Sequence, residues 1–158
     1  MEENVMDVLM YVFENYLYEE PQQLPERSLL CDRLSEVGFA DYQVESALEW
    51  LDQLIDQSTK SELNINLPDS LRLYSDLEQQ YLNSECRGFL QYLENTGILD
   101  PICREQVISR ALALADNNLT IDDLKWIVLM VLFIQPGQEA AFAWMESYLF
   151  DQVNVVNH

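Results

Sequence analysis

Few residues in this chain have the type and spacing that chemistry demands. The single histidine is His158, the last of 158 residues, so a Ser–His or Cys–His couple would need the chain's very end to take the nucleophile's proton. The three cysteines, Cys31, Cys86 and Cys103, stand too far apart for the Cys-x-x-Cys spacing of metal or redox sites. They read as reduced, buried thiols. Four glycines are scattered without the pattern of a phosphate-cradling loop. Two pairs of adjacent acids, Glu19-Glu20 and Asp122-Asp123, could exchange protons with a substrate. Neighbours on a helix point about 100° apart, however, and both pairs sit where helices end or begin, so they read as solvated or dipole-complementing groups. No catalytic, cofactor-binding or metal-ligating residue is assigned, no cofactor is expected, and the chain reads as a non-enzyme.

Charge narrows the partners. Eight Lys and Arg stand against 28 Asp and Glu, giving a net charge of −20. No basic residue precedes Arg27, lies between Arg33 and Lys60, or follows Lys125. Affinity for nucleic acid comes mostly from neutralising phosphates, so such a surface repels DNA, RNA and anionic lipid, and attracts basic proteins. The longest apolar run, residues 126–134, is nine residues long, against about 20 for a bilayer crossing. The start, Met1-Glu2-Glu3-Asn4, puts acids where a secretory signal carries positive charge. A cytoplasmic protein with no membrane contact is expected.

The elements that must position any site are helices. The hydrophobic fraction is 49%, too high for disorder, and four Gly with five Pro are too few for a many-turned β-sandwich. Val5, Val8, Leu9, Val12, Phe13, Tyr16 and Leu17 recur at three- and four-residue steps and define a first helix ending before Pro21. Pro25 opens a second, which carries Leu29, Leu30, Leu34 and Val37 to a left-handed exit at Gly38. Asp41 is the expected N-cap of a third, amphipathic helix with Val44, Ala47, Leu48, Leu51, Leu54 and Ile55 on its apolar side. Residues 57–70 are polar and read as a surface loop, and the alternation at 71–74 predicts a short β segment. Ser75 with Glu78 has the form of a capping box, and one helix is expected from there through Cys86 and Leu93 to Gly97. Asp100-Pro101 starts another, Thr120 caps an apolar central helix, Pro136-Gly137 ends it, and a last helix carries Phe142, Trp144, Met145, Tyr148 and Leu149 before a frayed tail from Asn154. The fold class is therefore all-α: one compact multi-helix domain over 1–158, divisible into lobes 1–56 and 71–152 joined by the loop 57–70.

The first lobe imitates a winged helix-turn-helix, with two helices around Gly38-Phe39-Ala40 and a later extended stretch at Arg72-Leu73-Tyr74. The would-be recognition helix presents Asp41, Gln43, Glu45, Ser46 and Glu49, with nothing to meet phosphate or guanine. In a winged-helix-like fold such a helix serves contact with protein, the competing account being ordinary helix packing, and Asp41, Glu45 and Glu49 form one part of a candidate interaction surface. Arg87 and Lys125 are the other, because each adjoins an apolar helix in an acidic chain. The competing account pairs them locally, Arg87 with Glu94 and Lys125 with Asp122. Tyr11, Trp50, Trp126 and Trp144, at helical spacing, read as core before groove.

Three stretches together resemble the bacterial Smg family. They are Asp7-Val8-Leu9-Met10-Tyr11-Val12-Phe13-Glu14; Cys86-Arg87-Gly88-Phe89-Leu90 with Leu93-Glu94; and Asp122-Asp123-Leu124-Lys125-Trp126-Ile127-Val128-Leu129-Met130-Val131-Leu132-Phe133 followed by Pro136-Gly137. The resemblance covers essentially the whole chain and brings no biochemical activity with it. The family's genes often neighbour those for DNA processing, topoisomerases, peptide deformylation or initiator-tRNA formylation, which makes a basic nucleic-acid enzyme a fitting partner. The expected function is a non-enzymatic acidic adaptor or regulator that binds another protein. The alternative is a winged-helix-like nucleic-acid-associated protein, or a nucleic-acid mimic acting on a DNA- or tRNA-processing enzyme.

Overall fold

The computed structural model describes residues 5–17, 26–60, 74–114, 119–135 and 137–156. These form α1 (Val5–Val12), continued by a π-helical turn Phe13–Leu17, then α2 (Arg27–Val37), α3 (Asp41–Lys60), α4 (Asp76–Tyr81), α5 (Ser84–Asn95), α6 (Pro101–Leu114), α7 (Ile121–Ile134) and α8 (Glu139–Val156). Among the described residues there is no strand, so the architecture is all-α. The β segment expected at 71–74 falls on residues of which only Tyr74 is described, and no wing accompanies the α2–α3 pair among the described residues. The chain divides into two units, Met1–Gln53 and Leu54–His158, with the division inside α3.

In the first unit, α1 buries Met6, Val8, Leu9 and Val12, and α2 buries Leu30 and Leu34. The turn between α2 and α3 is set by Gly38, whose φ of 119° lies in the left-handed region that side chains with a Cβ rarely adopt. Its N–H closes on Ser35 O at 3.1 Å and the next N–H, of Phe39, on Leu34 O at 3.3 Å, so the last carbonyls of α2 are satisfied. Phe39 then turns inward, 8% exposed, and meets the Tyr11 ring edge-on at 5.6 Å. In the opening turn of α3 the N–H groups of Gln43 and Val44 both reach Ala40 O. Asp41 is therefore the first helical residue and not the cap; its carboxylate still complements the positive end of the helix dipole. The helix also runs on to Lys60, four residues into the stretch read as loop.

The second unit is built around α7. Its buried residues, Leu124, Ile127, Val128, Leu129, Met130, Val131 and Leu132, fall on every side of the helix, which packs against both α6 and α8 and touches α5. Each such side chain contributes about 1.5–3 kcal/mol relative to exposure, so this one helix organises the unit. Thr120 starts it: Oγ1 accepts from Asp123 N at 3.1 Å while the Asp123 carboxylate accepts from Thr120 N at 3.3 Å. The same reciprocal box joins Ser75 and Glu78 at the head of α4.

One helix was expected from Ser75 to Gly97; two are present. Leu82 breaks out at φ −110°, ψ 105° and is fully buried, and Asn83 caps the restart by accepting from Cys86 N at 2.9 Å. An Asn placed before Ser and Glu offers the backbone a better partner than helix continuation does. Gly97, at φ 81°, ends α5 as expected, and Asp100 caps α6 by accepting from Cys103 N at 2.7 Å. After Ile134 the chain turns through Gly137, φ 86°, and α8 runs to Val156, two residues past the point where fraying was expected.

Candidate functional site

The residues singled out in the sequence separate into two groups, one in each unit. On α3 the carboxylates of Asp41, Glu45, Glu49 and Asp52 are all exposed. At 100° per residue they span only about 80° of the helix circumference and extend over about 16 Å. Ala47, Trp50 and Leu51 occupy the opposite side, Val44 and Leu48 lie between it and the acidic row, and all five are buried. Tyr42, at the edge of the acidic arc, is 71% exposed. One member of the row is balanced: Arg27, on α2, donates to Asp52 Oδ2.

Arg87 and Lys125 belong to the second unit and have different roles. The Arg87 Nε donates to the carbonyl of Leu82 at 3.1 Å, tying α5 to the break before it. Its expected partner, Glu94, is taken by Arg104 instead, at 2.7 Å. Lys125 leans over two rings, its Nζ 5.8 Å from the centre of Phe89 and 5.6 Å from that of Tyr148, within the range of a cation–π contact.

Around Lys125 lies a groove that periodicity alone did not reveal. Three helices build it: α5 through Glu85, Phe89 and Tyr92 and α7 through Ile121 and Lys125, in each case one or two turns apart, and α8 through Tyr148. Its volume is 380 Å³. Tyr148 stacks on Phe89 at 5.8 Å and on Trp144 at 5.3 Å, the latter nearly parallel at 11°, and Trp144 contacts Tyr92 at 6.3 Å. Phe89 is 9% exposed and forms the floor, whereas Tyr92 is 45% exposed and forms the rim. The signal in the sequence was the step of three or four between Phe89 and Tyr92 and between Trp144 and Tyr148. A core stripe has the same step, and only the packing of α5, α7 and α8 distinguishes the two.

The polar interior is structural. Arg104 is 6% exposed and Arg110 5%. Burial alone would lower the Arg104 pKa, but the hydrogen bonds it donates to Glu94 and Glu105 outweigh it and hold it above the ordinary guanidinium value. Burial lowers that of Arg110. Gln106 donates to Gln135 Oε1 at 3.1 Å, and Gln138 to Asp100 Oδ2 at 3.0 Å, so the turn after α7 is fastened to α6. Burial raises the pKa of the Cys86 and Cys103 thiols, and Glu85 and Asp100 respectively add to the shift; both are poor nucleophiles. Among the described residues no three His, Cys, Asp or Glu side chains could share a metal ion, and no helix is long and apolar enough to cross a membrane. The acid pair Asp122-Asp123 lies in the first turn of α7, Asp123 serving the capping box, while Glu19-Glu20 lies outside the described residues.

Comparison with known proteins adds a family and no chemistry. The chain is 44% identical over 151 residues to a Protein Smg homolog of Thioalkalivibrio sulfidiphilus, covering 96% of each chain. It is 46% identical to that of Idiomarina loihiensis, covering 94% of this chain and 96% of the relative. With the homolog of Nitrosococcus oceani it shares 42% identity over the full length of both. No solved structure matches. A family model described as a protein of unknown function, DUF494, matches residues 5–158, and the chain therefore belongs to the DUF494 family, whose bacterial members include the Smg homologs.

Proposed function

We propose that the protein is a non-enzymatic adaptor or regulator that binds another protein through a basic surface on that partner. The observation that carries this reading is the row Asp41, Glu45, Glu49 and Asp52 on the solvent side of α3 beside the exposed Tyr42. Complementary charge steers encounter and fixes register, and an exposed tyrosine at the edge of such a row is the residue type that anchors interfaces. A cytoplasmic location fits this role, and a basic nucleic-acid-processing enzyme is a partner of suitable charge. The acids of α3 repel a phosphate backbone, which favours the protein-binding reading over direct contact with DNA or RNA.

The test is affinity capture from source cells at low and moderate salt, with wild-type protein and the Glu45→Lys/Glu49→Lys variant side by side. The expected result is a protein recovered by the wild type, more at low salt, and lost with the variant. Recovery of nothing at either salt, or equal recovery by both proteins, overturns the reading. A mobility-shift assay at low salt checks the nucleic-acid alternative, with no shift expected.

A further inference from the structure

Gly88 sits in the middle of α5, where glycine costs about 1 kcal/mol relative to alanine. Nothing within the described fold calls for it: a Cβ built there would meet no atom within 4 Å, and its φ is not in the left-handed region. It is exposed, and it lies one turn before Tyr92 on the same side of the helix as Glu85. Beside the aromatic groove, α5 thus carries a gap in side-chain cover, next to a half-exposed ring and an exposed carboxylate that do line it. A missing side chain on an outward face lets another helix backbone approach closely, because interaxial distance is set by the side chains at the crossing point.

We infer that the α5–α7–α8 groove is the seat of a basic amphipathic helix from a partner protein, its backbone crossing α5 at Gly88. Apolar side chains of that helix enter the groove against Tyr92, Trp144 and Tyr148, and an arginine at its edge stacks on the Tyr92 ring and pairs with Glu85. Three observations select this occupant. The unit Leu54–His158 carries six Lys and Arg against 15 Asp and Glu, and two of those six, Arg104 and Arg110, are buried, so its outer surface is acidic and draws positive charge. The inner end of the cluster already holds a cation on aromatic faces, Lys125 over Phe89 and Tyr148, which leaves Tyr92, on the rim, as the ring turned to an incoming group. The groove is built of helices alone, so it offers no sheet edge to which an extended strand could add, and the gap at Gly88 admits a helix backbone instead.

This inference rests on the protein-binding reading above and is tested separately from it. The probe is a synthetic 18-residue helix of Leu, Arg and Ala with leucines along one face, titrated into the full chain; the controls are the same composition scrambled and a version with Glu for Arg. The proteins are wild type, Gly88→Leu, Tyr92→Ala and Glu45→Lys/Glu49→Lys. The amphipathic basic helix should bind wild type, with Tyr92→Ala and Gly88→Leu each weakening it by about tenfold or more, as for an anchor residue. The α3 variant should weaken it by no more than about threefold, and both controls should bind poorly. Gly88→Ala should raise the melting temperature by about 2–4 °C, confirming that the glycine does not serve the fold. A lower melting temperature for Gly88→Ala, equal affinity for the scrambled helix, wild-type affinity in both groove variants, or no binding to wild type each overturns the groove assignment. Loss only in the α3 variant overturns it as well, yet leaves the adaptor reading standing; that reading fails through an empty affinity capture.

Discussion

Arg104 and Glu94 meet at 2.7 Å with side chains only 7% and 15% exposed, and they join α6 to α5 beneath the surface of the second unit. Arg104 also donates to Glu105 at 2.8 Å, a carboxylate 34% exposed. Two carboxylates around one guanidinium satisfy it, but taking three charges out of water costs much of what their attraction returns. Removing one partner is therefore far worse than removing the pair. Glu94→Ala should lower stability by about 3 kcal/mol, because it leaves Arg104 buried with only the more exposed Glu105. Arg104→Met with Glu94→Leu should recover most of that loss. Urea denaturation of the two variants checks this, and equal stability would mean that the pair is worth its full Coulomb attraction.

Asp100 has two duties, capping α6 through Cys103 N at 2.7 Å and accepting from Gln138 at 3.0 Å across the turn before α8. Asp100→Ala should cost about 2 kcal/mol: about 1 for the cap and about 1 for the side-chain hydrogen bond. Thr120→Ala, which loses a cap alone, should cost about half as much. Gln138→Ala should match the difference between them. Thermal melts of the three variants measure these steps; an Asp100→Ala cost no larger than that of Thr120→Ala would mean that the Gln138 contact contributes nothing.

The sequence made the helices legible wherever a local signal decided the matter. Gly38, Ser75, Gly97, Asp100 and Thr120 each act as caps or exits because the groups they satisfy lie within three or four residues. It misled where two local signals competed. Asn83 proved a stronger start signal than the apolar continuity across Leu82, and α3 outlasted its polar end at Lys60 because Gln, Ser and Thr are tolerated in a helix whose earlier turns are anchored by burial. The site was the least visible part. Nothing local marked Arg104 as buried, since Glu94 stands ten residues away and only the packing of α5 on α6 brings it to the guanidinium, and nothing local set Tyr92 apart from other helical aromatics. Lys125 was singled out for standing in an acidic chain, which the structure explains through two rings it could not name.

The cysteines give a pH dependence of definite sign. The Cys103 thiol is pushed well above its ordinary value by burial first and by Asp100 second, and Cys86 is shifted upward by burial and Glu85. Both stay protonated when folded at a pH where the unfolded chain ionises, so the unfolded state binds fewer protons there and stability falls as pH rises. The contribution is complete below about pH 9 and declines above it. Cys103→Ala should therefore flatten the alkaline decline between about pH 9 and 11 relative to wild type, once compared with its own stability at pH 7. Alkylation of the native protein at pH 8 should modify the half-buried Cys31 first; equal rates at all three thiols would contradict the burial of the other two.

The acidic row on α3 should carry a cost in stability, which the proposed binding role would account for. Asp41, Glu45 and Glu49 follow one another at four-residue steps, the spacing at which like charges destabilise a helix by about 0.2–0.5 kcal/mol per pair. Among the described residues, Asp52 is the member of this row that has a basic partner, Arg27. Glu45 is the middle member and faces a like charge on both sides, so Glu45→Gln should raise stability by about 0.5 kcal/mol at low salt. Glu49→Gln removes one such four-residue pair, and the other like charge within reach, Asp52 three residues on, is offset by Arg27, so this variant should gain about half as much. Since these carboxylates are exposed and screened beyond about 10 Å at 0.1 M salt, both gains should shrink as salt is added, and denaturation at several ionic strengths resolves the trend. A loss of stability on Glu45→Gln, or a gain indifferent to salt, would mean that the row is not held together against its own repulsion.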